Sequence, residues 1–464
     1  MNKTLFIFFI FLTALVSCDN NDNKSASTWI GGEVVNPKSN YIVLSKNDSL
    51  LDTIYLNEKN FFLYEIKNAT NGIYTFKHNE NQRLFIETGD SLMLRVNTID
   101  FDESLSFSSI GAERNNFLME LFLLNEKENK LMPDFYQLEP ITFQKKTDSL
   151  KQLREEVYKE FLKNNKVSKE FKEIVNANID YDSYSKREFY TSANSGTGYL
   201  NKLPKNFYNY RKKVDFGNEH LLSYYSYFRF LNRYFDNLSY DKYKNNDTTT
   251  RNSYIHNFNK LKIIDSLITN KNLKNKLLKN NMGRYLLNGE NPEKTDQLVA
   301  LFIKLDSNKE HQDEIKVLAE AAVKLSPGEH IPNVILVNID NIAKDLHSII
   351  HRPSVLYFWS MESIKHYRDI HTKAAELRSK YPEYDFIGIN TDTHFKKWLE
   401  IVRNSSFKEE KEYQFDDMEE AENRLVINRI NKAIIVNKKG VILEGNTNLF
   451  NKNIEELLLG YINK

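Results

Sequence analysis

The sequence predicts a multidomain α+β protein, with an N-terminal antiparallel β-domain, a helical middle region and a C-terminal α/β domain. Three observations predict it. A chain of 464 residues exceeds what one hydrophobic core serves, so two or three domains are expected. Short runs rich in Ile, Val, Tyr and Phe recur between polar turns over 29–110. Helical periodicity then dominates 111–325, and strand-like and helix-like segments alternate over 326–464.

The N-terminus precedes these domains. Lys3 supplies a positive charge, 5–16 is an apolar run, and Leu15-Val16-Ser17-Cys18 follows. The run is short for a membrane span and has the layout of a signal peptide over 1–17. Its end resembles a bacterial lipobox, which implies cleavage before Cys18 and acylation of that residue. Several acyl chains bury enough methylene groups for stable anchoring. Residues 18–28 are then a polar tether. No second long apolar run appears. Cys18 is the single cysteine, so a lipidated chain has no thiol left for exchange.

In the β-region, runs such as Tyr41-Ile42-Val43-Leu44, Thr53-Ile54-Tyr55-Leu56 and Leu92-Met93-Leu94 read as strands. Asn71-Gly72 and Gly89-Asp90 read as turns, because these residues tolerate positive φ. Their regular spacing predicts a small sandwich or barrel. In the middle region Phe117, Leu118, Leu121 and Leu124 share one helical face. So do Leu150, Leu153, Val157 and Phe161, and again Leu221, Tyr225, Phe228, Leu231 and Phe235. The aromatic stripe at 224–228 is read as core, since large rings dominate burial. Helices are expected over 294–305 and 310–325, and Ser326-Pro327-Gly328 is read as a domain boundary.

After that breaker the order is an opening strand at 331–337, a strand at 354–358, a helix carrying Ile364, Tyr367, Ile370, Ala374 and Leu377, and a strand at 385–390. A helix at 394–402, a charged irregular stretch to 422, strands at 433–437 and 441–444, and a helix at 453–462 complete it. This order, with Phe358-Trp359 closing a strand, resembles the thioredoxin-fold lipoproteins of the TlpA/ResA type found in Bacteroidetes. The resemblance implies a Cys-x-x-Cys opening the helix four residues beyond the tryptophan. Here those two positions hold Ser363 and His366, and Asn431 stands where the family places a cis-proline. A non-proline cis bond costs roughly 2.5–4 kcal/mol, so a trans loop is expected.

Helix N-termini stabilise a thiolate, but a serine hydroxyl has no comparable acidity. Ser363 is therefore read as a helix cap. A Ser363–His366 hydrolase would need an orienting carboxylate and oxyanion donors, and no supporting motif accompanies the pair. Trp359, Glu362 and Lys365 are the candidate contact residues beside the corner. His347, His351, His366, His371 and His394 lie in this domain, but their spacings favour scattered surface residues over a metal site. The i, i+4 pair His347 and His351 runs into Pro353. No metal and no cofactor is expected. With 64 basic against 63 acidic residues, no nucleic-acid partner is expected either.

The functional expectation is a lipid-anchored protein of the cell envelope, at the outer membrane. Its thioredoxin-like domain has lost redox chemistry and binds a protein or peptide partner. The alternative is an oxidoreductase-family protein that acts through a partner's thiols or through a repurposed Ser363/His366 site.

Overall fold

The computed structural model describes residues 27–37, 39–46, 49–78, 80–98, 100–218, 221, 224–243, 250–288, 292–361, 363–405, 409–427 and 430–462. The expected signal peptide, Cys18, most of the tether and Glu362 lie outside the described residues. The chain divides into two compact units, one holding residues up to 211 with 220–230, the other 212–219 with 231–464.

The first unit opens with strands β1 Trp29–Val35, β2 Tyr41–Lys46, β3 Ser49–Tyr55, β4 Phe61–Glu65, β5 Gly72–His78, β6 Glu80–Ile86 and β7 Ser91–Asn97. A short helix α1, Phe101–Ser104, and strand β8, Ser106–Ser108, follow. They form two four-stranded sheets, β4-β1-β7-β8 and β3-β2-β5-β6, antiparallel apart from the parallel β1–β7 pair. Alternation sets their faces: Ile30, Val34, Ile42, Leu44, Leu92, Leu94 and Val96 all enter one core. Gly72 and Gly89 have positive φ, as the two expected turns require.

Helices α2 Ala112–Asn129, α3 Met132–Phe135, α4 Pro140–Asn164 and α5 Lys169–Ala193 come next. Helix α6, Tyr225–Asp241, begins in this unit. In α2 the predicted face holds, with Phe117 and Leu121 buried. In α4 it does not: Leu153 is 46% exposed, whereas Phe143, Thr147, Arg154 and Tyr158 are buried. The cause is electrostatic. Arg154 Nε and Nη2 donate to Glu128 at 2.8 and 2.5 Å, and its Nη1 lies 2.9 Å from Asp182. Lys186 joins Glu128 and Asp182 at 2.5 and 2.7 Å. Burial alone would raise the Asp182 carboxyl, but Lys186, Arg154 and Arg229 outweigh it and hold it down at about 2. Of the aromatic stripe at 224–228, Tyr224 and Tyr227 are core, but Tyr225 is exposed.

In the second unit α6 is followed by α7 Tyr254–Leu267, α8 Lys271–Asn288, α9 Thr295–Leu305 and α10 Lys309–Lys324. Asn308 caps α10 by accepting from His311 N. Gly328 turns the chain with positive φ, and its N–H donates to Ile442 O. The C-terminal domain then runs β9 Ile335–Val337, β10 Ala343–Asp345, α11 Leu346–Ile349, β11 Ser354–Trp359, α12 Ile364–Lys380, β12 Asp385–Asn390 and α13 Phe395–Arg403. It closes with β13 Glu412–Phe415, α14 Met418–Leu425, β14 Ala433–Val436, β15 Ile442–Thr447 and α15 Ile454–Ile462.

These seven strands form one mixed sheet, β10-β9-β13-β12-β11-β14-β15. Strand β11 is buried along its whole length. Leu356 and Phe358 face one core with Ala421 and Leu425 of α14. Val355, Tyr357 and Trp359 face the other, with α12, α13 and α15. The domain is thioredoxin-like, as its element order implied.

One expectation fails here. The charged stretch to 422 is not irregular, because it contains β13 and the start of α14, and β13 pairs with both β12 and β9. Its inward residues Glu412 and Gln414 are polar, so no hydrophobic alternation announced a strand.

Candidate functional site

The site is the corner between β11 and α12. Strand β11 ends at Trp359, whose carbonyl accepts from Thr391 N at 2.9 Å. The turn beyond it is held by one carboxylate. Ser360 Oγ donates to Asp392 Oδ1 at 2.6 Å, and Met361 N donates to Asp392 Oδ2 at 2.5 Å. Asn390 Nδ2 supports the same Oδ2 at 3.0 Å. Gln414 Nε2, from β13, donates to the Asp392 carbonyl at 2.6 Å. The corner is thus fixed by side chains from β12, β13 and the loop after β12.

Helix α12 starts directly after Ser363, where the serine was expected. The cap hydrogen bond is missing, however: the Ser363 hydroxyl accepts from no backbone N–H. Its φ of −107° and ψ of 75° depart from the extended backbone that turns a cap hydroxyl over the first turn. His366 lies one turn along, half-buried, 6.3 Å from the Phe450 ring. Neither of its ring nitrogens has a hydrogen-bond partner, so no Ser363–His366 pair is assembled. Burial holds the His366 imidazole below its usual pKa. Nearby Asp369 opposes this and His371 adds to it. A base–nucleophile relay needs hydrogen-bond reach, and these two side chains do not have it.

No peptide bond among the described residues is cis, and Asn431 is half-buried. The neighbouring Lys432 is buried and does the local anchoring. Its ammonium donates to the carbonyls of Leu425 and Val426 at 2.7 and 3.0 Å, satisfying the C-terminal end of α14.

Trp359 offers no surface to a partner, contrary to its reading as a contact residue. It is 0% exposed and its indole N–H donates inward, to Glu412 Oε2 at 3.0 Å. The side chain of Lys365, like all of Glu362, lies outside what the structure describes.

The inward bond leads to a polar cluster beneath the corner. Tyr357 OH donates to Glu412 Oε1 at 3.1 Å. His371 lies with Nε2 3.2 Å from that same oxygen and Nδ1 2.6 Å from the carbonyl of Tyr367. A carbonyl only accepts, so Nδ1 carries the hydrogen of that bond. The ring of His371 stands edge-on to Trp359 and Tyr357, at 4.9 and 5.4 Å. Burial, reinforced by Glu412, pushes the Tyr357 phenol well above its ordinary pKa.

Gly388 makes the cluster possible. On β12 it lies in register between Tyr357 and Glu412. A Cβ there would sit 2.5 Å from both carboxylate oxygens, so the bare strand lets the Glu412 side chain cross to β11. A cleft of about 710 Å³ opens over this cluster between α12 and α13, with Arg368, Thr372, Arg378 and Glu400 along its walls.

Neither Glu412 nor the inward role of His371 was found from the sequence. His371 is buried and not the surface histidine expected. The signal available was only a Gly388 inside an apolar strand, which marks a close approach. His347 bonds the carbonyl of Ile331, and α11 ends before His351, so the i, i+4 pair does not form. Among the described residues no three His, Cys, Asp or Glu side chains gather as metal ligands.

A family profile described as thioredoxin-like matches residues 351–442. No curated protein sequence matches the chain. Among solved structures, a candidate thiol-disulfide oxidoreductase from Bacteroides vulgatus shares 18% identity, covering 30% of this chain and 97% of its own, with a TM-score of 0.27. The C-terminal domain of another, from Bacteroides thetaiotaomicron, shares 20%, covering 30% and 99%, with a TM-score of 0.25. A domain of a possible thiol-disulfide isomerase from Cytophaga hutchinsonii shares 14%, covering 30% and 94%, with a TM-score of 0.26.

Proposed function

We propose that this chain is a lipid-anchored protein of a bacterial cell envelope, held at the outer membrane through Cys18. Its thioredoxin-like domain binds a protein or peptide partner and exchanges no disulfides. One observation carries the reading: the two positions that open α12 hold Ser363 and His366, whose ring nitrogens have no hydrogen-bond partner, on a framework that keeps its strands and helices. Dithiol exchange needs a thiolate to attack and a second sulfur to resolve the mixed disulfide, and neither position supplies sulfur. The cleft between α12 and α13 supports the binding half of the reading, being concave and lined by both charged and apolar groups.

Two measurements test it. The chain from residue 19 onward is assayed for insulin reduction in the presence of dithiothreitol, and turbidity is expected to develop at the uncatalysed rate. Faster turbidity overturns the redox-silent half. A photo-crosslinking side chain is then placed at Thr372, on the cleft wall, in cells expressing the full chain. A discrete adduct absent from a control placed at Lys452 supports partner binding there; identical patterns count against it.

A further inference from the structure

The outward face of the β4-β1-β7-β8 sheet carries an apolar patch that nothing above uses. Register places Leu63, Gly31 and Met93 in one row across three strands, with Phe61 two residues along on the same face of β4. Phe61 and Leu63 are 45% and 60% exposed. A Cβ on Gly31 would lie 2.9 Å from both Leu63 Cδ1 and Met93 Sδ, so those two side chains close over the bare strand into a continuous strip. Tyr55, 68% exposed, lines the same groove, and its ring meets that of Tyr41 at 6.4 Å. The ion pair of Arg95 with Glu33 lies on this same face, in the row of Phe61, and closes the strip at that end. Contiguous exposed apolar surface of this kind marks an interaction site.

The path of the chain points to the occupant. Strand β1 begins at Trp29, which lies on the Gly31 side by two-residue alternation, about 7 Å from that row. Trp29 is half-buried. Eleven residues separate Cys18 from Trp29, and even fully extended they reach about 40 Å. An acylated Cys18 therefore keeps this face within about 40 Å of the bilayer. Its composition suits that neighbour: Trp and Tyr rings favour the headgroup level, and Phe, Leu and Met the layer below it.

We propose that this face is a membrane-docking surface, on which the anchored β-domain lies against lipid through Phe61, Leu63 and Met93, with Trp29 at the headgroup level. The proposal rests on the lipid-anchor reading, and its test is arranged to be independent of natural acylation.

Residues 19–464 carrying an N-terminal hexahistidine are tethered to phosphatidylethanolamine–phosphatidylglycerol vesicles that contain a nickel-chelating lipid and brominated phosphatidylcholine. Trp359 and Trp398 are fully buried, so a change on tethering reports Trp29, and Trp29→Phe gives the background. The wild-type emission is expected to shift to shorter wavelength and to be quenched. The variant Phe61→Ser/Leu63→Ser, bound to the same extent, is expected to lose both effects. Tyr55→Ser is a second variant that removes only an exposed ring and should weaken them. An unquenched wild type, or quenching that persists in the double variant, overturns the proposal. So does a solution dimer dispersed by the double variant with no quenching on vesicles, which would assign the face to a second copy. Separately, radiolabelled palmitate incorporation into the full chain but not into Cys18→Ser tests the anchor, so the two readings can fail apart.

Discussion

The indole of Trp359 and the carboxylate of Glu412 meet at 3.0 Å across the glycine of an intervening strand. This contact joins the end of β11 to β13 and turns the most recognisable residue of the corner inward. Together with Tyr357 and His371 it makes a buried polar cluster on which the corner rests.

Removing the carboxylate takes away the acceptor shared by the Trp359 indole N–H and the Tyr357 hydroxyl inside the domain. Leaving a buried donor unsatisfied typically costs about 1–3 kcal/mol. Glu412→Ala is expected to lose stability in that range, by urea unfolding followed by tryptophan emission. Glu412→Gln, which keeps an acceptor oxygen, should lose roughly half as much. A loss below about 1 kcal/mol in Glu412→Ala would show that the cluster does not bear on stability.

Gly388→Ala places a methyl group against the same carboxylate. Overpacking of a well-filled interior costs typically about 1–3 kcal/mol, and that loss is expected in the same unfolding measurement. In the Glu412→Ala background the added methyl should cost less, because its obstacle is gone. Equal costs in both backgrounds would place the clash elsewhere.

His366 makes stability depend on pH. Its folded pKa lies below the ordinary value, so between the two the unfolded chain binds a proton that the folded chain does not. Stability therefore falls as pH drops from about 6.5 towards the lower folded value, and recovers as pH rises. The buried His256 is lowered as well and contributes in the same direction. The difference between wild type and His366→Phe isolates the residue. Thermal midpoints at several pH values should show the variant losing less on acidification, and parallel curves would sink the idea.

Helix α12 should still activate a thiol if one is supplied. In a Cys18→Ser background, Ser363→Cys introduces a single thiol directly before the helix. The helix N-terminus is expected to bring its pKa below the free value of about 8.5. The pH profile of iodoacetamide alkylation measures this, and a midpoint at or above the free value would show that the corner has lost the field as well as the cysteines.

Arg154 and Leu153 test which face of α4 is inside. Arg154→Ala takes the buried guanidinium from Glu128 and Asp182, which keep Lys186, and is expected to cost about 1.5–3 kcal/mol. Leu153→Ala, at a largely exposed position, should cost under about 1 kcal/mol. The reverse order would restore the apolar face that periodicity suggested.

Those two neighbours show where sequence reading stops. Along α4 the apolar rule selected Leu150, Leu153, Val157 and Phe161, because periodicity counts hydrophobic side chains. It has no means of scoring a buried arginine whose cost is met by carboxylates on α2 and α5. The same blindness hid β13, whose buried residues Glu412 and Gln414 look like surface residues until their partners on β11 and β12 are known. Where the interior is apolar the reading held: β11, β12 and β14, the helices at 295–305 and 309–324, and the alternating strands of the β-domain were all legible.

By itself the sequence determined the order and kind of the elements apart from those at 412–425, the α+β class with a thioredoxin-like end, and the absence of cysteine from the two positions where the helix opens. These follow from local periodicity and residue identity. Only the tertiary structure decided that Trp359 faces inward, that Ser363 and His366 do not pair, and that exposed Phe61 and Leu63 share one face with half-buried Met93. Each of these depends on strand register and on partners far away in sequence, which no local pattern encodes.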